Sequence, residues 1–199
     1  MFVNLLEKLM IKKSQLFTVV TLFSLLLASL ACNIQAGGPA YPETRVPVST
    51  ESASSLAEQV RAAQTAAAQS GALVISVSES QITSLLAAKL AEKPSPLLTD
   101  PQVYLRDGQI QIYGKASQGP IQVNVRIVIS ASVDSTGQPA IAVVSTDFGP
   151  LPAPEGLNKT VTALVQEAFT GALGPAAIGF RLESITIADG TMTMVGRVK

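Results

Sequence analysis

The chain has 199 residues, with 14 basic and 14 acidic side chains, no histidine and a single cysteine. The length suits one domain with a leader. The missing histidine removes His-based triads, His metal sites and imidazole acid–base chemistry, and one cysteine cannot close an internal disulfide. Apolar residues make up 47% of the chain and charged residues 14%, and part of that bias lies in the N-terminal stretch. Lys8, Lys12 and Lys13 precede the uncharged run Leu16–Ala31, and small residues lead into Cys32. A basic flank, an apolar run and small residues before a cleavage point form an export signal over residues 1–31. An uncleaved membrane anchor is the other reading of the same run, although sixteen residues is short against the roughly 20 of a spanning helix.

Ser29-Leu30-Ala31-Cys32 resembles a bacterial lipobox. The resemblance implies that Cys32 is acylated and becomes the first residue of the mature protein. The expected location is then the extracytoplasmic side of the cell membrane. Beyond Cys32 the charges number 11 basic and 13 acidic, a net of −2, scattered without a patch. This argues against a nucleic-acid partner and gives the domain surface no electrostatic pull toward anionic headgroups. Residues 32–54, rich in Gly, Pro, Ser and Thr, read as a flexible tether, and residues 55–199 as one domain.

Ser55 and Glu58 form a capping box for a first helix over residues 55–70, with Leu56, Val60, Ala63 and Ala67 on one face and Gly71 as its stop. Ala72–Val77 follows as a short strand. Ser78 and Gln81 form a second capping box, opening a helix over Glu79–Glu92 with Ile82, Leu85, Leu86 and Leu90 on one stripe, ended by Pro94 and Pro96. Gln102–Arg106 and Gln109–Tyr113 flank Asp107-Gly108, a strong hairpin signal because a tight primed turn needs positive φ. Ile121–Val133 is the longest strand. Apolar residues occupy its odd positions, including Val123, Val125, Ile127 and Ile129, and polar residues most of its even ones. Thirteen residues would reach about 43 Å if straight, so its apolar face needs a cover. A turn over 134–139 leads to Ala140–Phe148, where aliphatic residues on both faces suggest a central strand. Pro-rich 149–154 breaks the chain before a third helix over 155–173, with Leu164 and Phe169 on its apolar side. Phe180–Ile187 and Thr191–Val198 close the chain as a hairpin around Asp189-Gly190, and a slip in their alternation predicts a bulge near Glu183.

Val103–Lys115 matches Ile185–Arg197 position by position as apolar-x-apolar-x-Asp-Gly-x-apolar-x-apolar-x-Gly-basic. Each copy follows an amphipathic helix broken by Pro, so a helix–hairpin unit reads as duplicated. The fold class is α+β: an elongated, curled, mostly antiparallel sheet wrapped on two or three amphipathic helices.

This order resembles the LmeA-type, TULIP-like lipid-binding proteins of bacterial envelopes. The residues that carry it are Val77–Leu86, the paired Asp-Gly hairpins, Gly149-Pro-Leu-Pro152 and the closing Ile185–Gly196. The resemblance implies an apolar groove for lipid chains and no catalytic residues. Its expected lining is Leu86, Ile110, Ile112, Val123, Val125, Ile127, Ile129, Leu164, Phe169, Met192 and Met194. The expected partners are the membrane, through Cys32, and a phospholipid or another apolar ligand. No cofactor, metal or enzymatic activity is expected. A structural or protein-interaction lipoprotein with a dry core, pairing through a sheet edge, is the alternative.

Overall fold

The computed structural model describes residues 37–93, 98–118, 121–150 and 180–198, with isolated positions at 18, 20–21, 34–35, 96, 156, 159, 162–163 and 167. The chain divides into two compact units, Met1–Ile34 and Gln35–Lys199. In the first, the described residues Thr18, Val20 and Thr21 are helical and exposed. The two-residue strand β1, Ile34–Gln35, stands at the boundary.

The second unit is α+β, with two described helices and two antiparallel sheets. Helix α1 spans Thr50–Ser70 and ends at Gly71 in the left-handed region. Strand β2 (Ala72–Ser78) leads without a loop into α2 (Glu79–Ala91). Strands β3 (Thr99–Arg106), β4 (Gln109–Gln118), β5 (Ile121–Val133) and β6 (Pro139–Asp147) form the larger sheet in the order β6-β5-β4-β3. Strands β7 (Phe180–Ala188) and β8 (Thr191–Val198) join β2 in the smaller one, with β8 central. In their close backbone contacts α1 meets α2 and β2, α2 meets β3, and β7 meets β5 and β3.

The local chemistry explains most of these boundaries. The Ser78 capping box is complete: its Oγ accepts from Gln81 N–H, and Gln81 Oε1 accepts from Ser78 N–H at 2.9 Å. Both Asp-Gly turns adopt positive φ, 54° and 72° at Asp107-Gly108 and 49° and 76° at Asp189-Gly190. That conformation is accessible to Gly and, among other residues, most readily to Asn and Asp. The β7–β8 register shifts between Leu182 and Ser184, so the bulge falls at Glu183 as expected.

Three expectations are corrected. Helix α1 starts five residues before the Ser55 capping box. Ser49 is the N-cap, accepting from Ser52 N–H at 3.0 Å, and Ser55 Oγ sits inside the helix, where it donates to Ser52 O. Small residues and Glu51 in the first turn let the helix run back to Thr50. Ala140–Phe148 is not central: β6 pairs with β5 alone among the described residues. Its aliphatic residues divide, with Ile141 and Val143 packed on the core while Val144, displaced by a bulge at the Val128/Ile129 register shift, is 54% exposed. The stretch expected to be a tether is packed from residue 37 onward, as described below. Of the third predicted helix, 155–173, the structure describes Gly156 in a turn and Lys159, Thr162, Ala163 and Glu167 as helical; the rest of the span lies outside the described residues.

Candidate functional site

The inward face of β5 is built by strand alternation. Val123, Val125, Ile127 and Ile129 point to one side, and the antiparallel register sets Ile112 opposite Ile127 and Ile110 opposite Ile129. The smaller sheet contributes Met192 and Met194 from β8, opposite Ile187 and Ile185. All eight expected groove residues named here belong to one continuous buried cluster with Leu73, Leu105 and Phe180. Val125, Ile127 and Ile129 are 0% exposed. Leu86 sits at the margin, partly buried and packed against the cluster. Cys32, Leu164 and Phe169 lie outside the described residues. Each fully buried aliphatic side chain of this size contributes about 1.5–3 kcal/mol relative to exposure, so burial of this face stabilises the unit.

The opposite face of the larger sheet carries a feature that sequence reasoning missed. Residues 37–49 form a strap across it. Asn124 N–H donates to Gly37 O at 3.1 Å, and Asn124 Nδ2 donates to Pro39 O at 3.3 Å. A Cβ on Gly38 would overlap the Asn124 carbonyl, and one on Gly149 would overlap Gly38 itself. Three backbones therefore meet where only glycine fits. Tyr41, Tyr104 and Tyr113, the only tyrosines in the chain, pack together. Tyr104 and Tyr113 meet edge to face at 5.6 Å, and Tyr41 tilts on Tyr113 at 5.9 Å. Tyr104 Oη donates to Thr44 O at 2.7 Å, and Val46 N–H, on a buried residue, donates to Gln102 Oε1 at 2.7 Å.

Charges close the strap. Arg45 pairs with Asp100 at 2.8 Å and lies 5.0 Å from the centre of the Tyr41 ring. Lys115 reaches the other Asp100 oxygen at 3.3 Å. Tyr41 Oη donates to the Asp100 carbonyl, and Asp100 holds φ 51° beside the irregularity that opens β3. Burial, then the Asp100 carboxylate, pushes the Tyr41 phenol well above its ordinary value, and burial raises Tyr104 as well. The signal in the sequence was Tyr104 and Tyr113 at outward positions of alternating strands, where uncovered aromatic rings are unusual for a wetted face.

Glu79, the first residue of α2, joins the two hairpins. Its Oε1 accepts from Leu105 N–H at 2.8 Å and pairs with Arg106 at 2.6 Å, and its own N–H donates to Gly190 O at 3.2 Å. Gly190 N–H donates to Leu105 O at 3.2 Å. Two open concavities are lined by described residues. One, about 820 Å³, lies where the β5–β6 turn meets Arg181 and Arg197; the other, about 640 Å³, lies between the start of α1 and the end of α2. No expected groove residue lines either of them. Among the described residues no group of acidic or cysteine side chains could hold a metal, and no helix is long and apolar enough to cross a membrane.

No protein-family model, no curated protein and no solved structure matches this chain.

Proposed function

We propose that the protein is an exported lipoprotein, anchored through acylated Cys32 on the extracytoplasmic side of the membrane, whose domain binds acyl chains without catalysis. The observation that carries this reading is the convergence of Ile110, Ile112, Val123, Val125, Ile127, Ile129, Met192 and Met194 from two sheets into one continuous aliphatic interior. Past Cys32 the sequence has three Phe and no Trp, so the lining is mostly aliphatic, which suits flexible acyl chains, and its two methionines adapt their shape most readily. The reading extends the resemblance to the TULIP-like proteins, including a curled sheet and an internal duplication. Matched registers support the duplication: Leu105 faces Ile110 and Val103 faces Ile112, as Ile187 faces Met192 and Ile185 faces Met194. Phospholipid is the first ligand class to test, by solvent extraction of purified protein and mass analysis of the extract.

A second reading has its own support. The same side chains are almost wholly excluded from solvent, which suits a dry core in a structural or protein-interaction lipoprotein. Val125→Trp separates the two, because a close-packed core resists added bulk and a ligand site loses its ligand instead.

A further inference from the structure

A lipid-anchored domain on a free linker stands off the bilayer, and the composition of residues 32–54 suggests the same here. The strap contradicts that geometry. The chain is fixed to the larger sheet from Gly37 onward: Gly37 O accepts from Asn124, Gly38 is wedged between Asn124 and Gly149, Tyr41 stacks on Tyr113, Arg45 pairs with Asp100 and Val46 is buried. Five residues carry the chain from Cys32 to Gly37. At 3.3–3.6 Å per residue they reach at most about 18 Å. Were the strap free as far as Ser49, the reach would be about 60 Å.

We propose that the strap acts as a short leash, so that the rim of the larger sheet around Gly37, Asn124 and Gly149 is held at the bilayer surface. This rests on the anchoring of Cys32 proposed above, and on neither reading of the interior. The occupant of that rim is the lipid headgroup layer of the membrane that holds the acyl chains. The hold is covalent and mechanical, consistent with the unclustered charge past Cys32, so it is insensitive to salt, unlike binding driven by a basic patch.

Energy transfer in vesicles tests this. The full mature protein carries Pro150→Cys, an exposed position next to the Gly38–Gly149 contact, labelled with a donor. Cys32 is blocked as a thioether once acylated. The protein is reconstituted into phosphatidylethanolamine–phosphatidylglycerol vesicles with an acceptor on the headgroups. A second protein has a twelve-residue Pro-rich spacer between Asn33 and Ile34, directly ahead of β1, which adds about 37 Å. Transfer should be strong without the spacer, fall at least twofold with it, and be unchanged in 0.5 M NaCl. Equal transfer with and without the spacer, in protein whose mass confirms acylated Cys32, overturns the leash and leaves the anchor standing. Protein that lacks the acyl mass overturns the anchor and the leash together.

Discussion

Gly38 and Tyr41 carry the strap, and each makes a separate prediction. A side chain at Gly38 must displace the Asn124 carbonyl or Gly149, from a backbone φ of 111° that L residues rarely adopt. Strain of this kind costs about 1–3 kcal/mol. Gly38→Val should therefore free the strap, and trypsin should cut after Arg45 at least tenfold faster than in the wild type, read by mass analysis of timed digests; equal rates would mean that the strap is not held there. Tyr41 tests the covering in another way. Its phenol is raised above the unfolded value of about 10. The stability this contributes is complete below about pH 10 and is lost as pH rises toward the folded value. Absorbance of the phenolate should show a late-titrating component that Tyr41→Phe removes, while the wild type loses thermal stability above pH 10 more steeply than Tyr41→Phe. The strap was hard to read in the sequence because its residues, Gly37 to Ser49, have the composition of a linker. What orders them is tertiary: a wedge between backbones, a ring stack and an ion pair with residues some 55 positions away.

Helices and strands were legible where one local mechanism decides them. The Ser78–Gln81 capping box, both Asp-Gly turns and the bulge at Glu183 could be read because side-chain hydrogen bonding, positive φ and a broken alternation each leave a pattern a few residues long. The first capping box failed for a reason of the same kind. Ser49, Ser52 and Ser55 all offer a capping oxygen, and the helix uses the earliest because Thr50–Ser54 carries nothing that opposes it. The edge position of β6 was illegible because aliphatic residues on both faces fit a central strand and a bulged edge alike. Two predictions belong to this scale. Ser78→Ala removes one half of the capping box and should destabilise the unit by about 1 kcal/mol, measured by denaturant titration. Glu79→Ala removes a charged acceptor from Leu105 and the partner of Arg106, and hydrogen bonds to charged groups are worth about 1.5–3 kcal/mol. It should cost more than Ser78→Ala, and it should speed amide exchange at Gly190, on the other hairpin, as well as at Leu105.

At the scale of the whole molecule, the α+β class and the antiparallel pairing follow from alternation, which by itself places Val123, Val125, Ile127 and Ile129 on one face. Whether that face encloses a ligand or a dry core is not written in alternation, because the same aliphatic residues serve both. Enclosed acyl chains are the central claim. The most direct measurement is native mass spectrometry of the purified, acylated protein, wild type and Val125→Trp, with a thermal melt of each. An acyl-chain site predicts a wild-type population heavier by one non-covalent lipid, loss of that population in Val125→Trp, and melting midpoints that nearly coincide. The contradictory result is wild-type protein with no mass beyond its acylated chain, together with a Val125→Trp midpoint lowered by several degrees, as an overfilled core that loses about 1–3 kcal/mol would show.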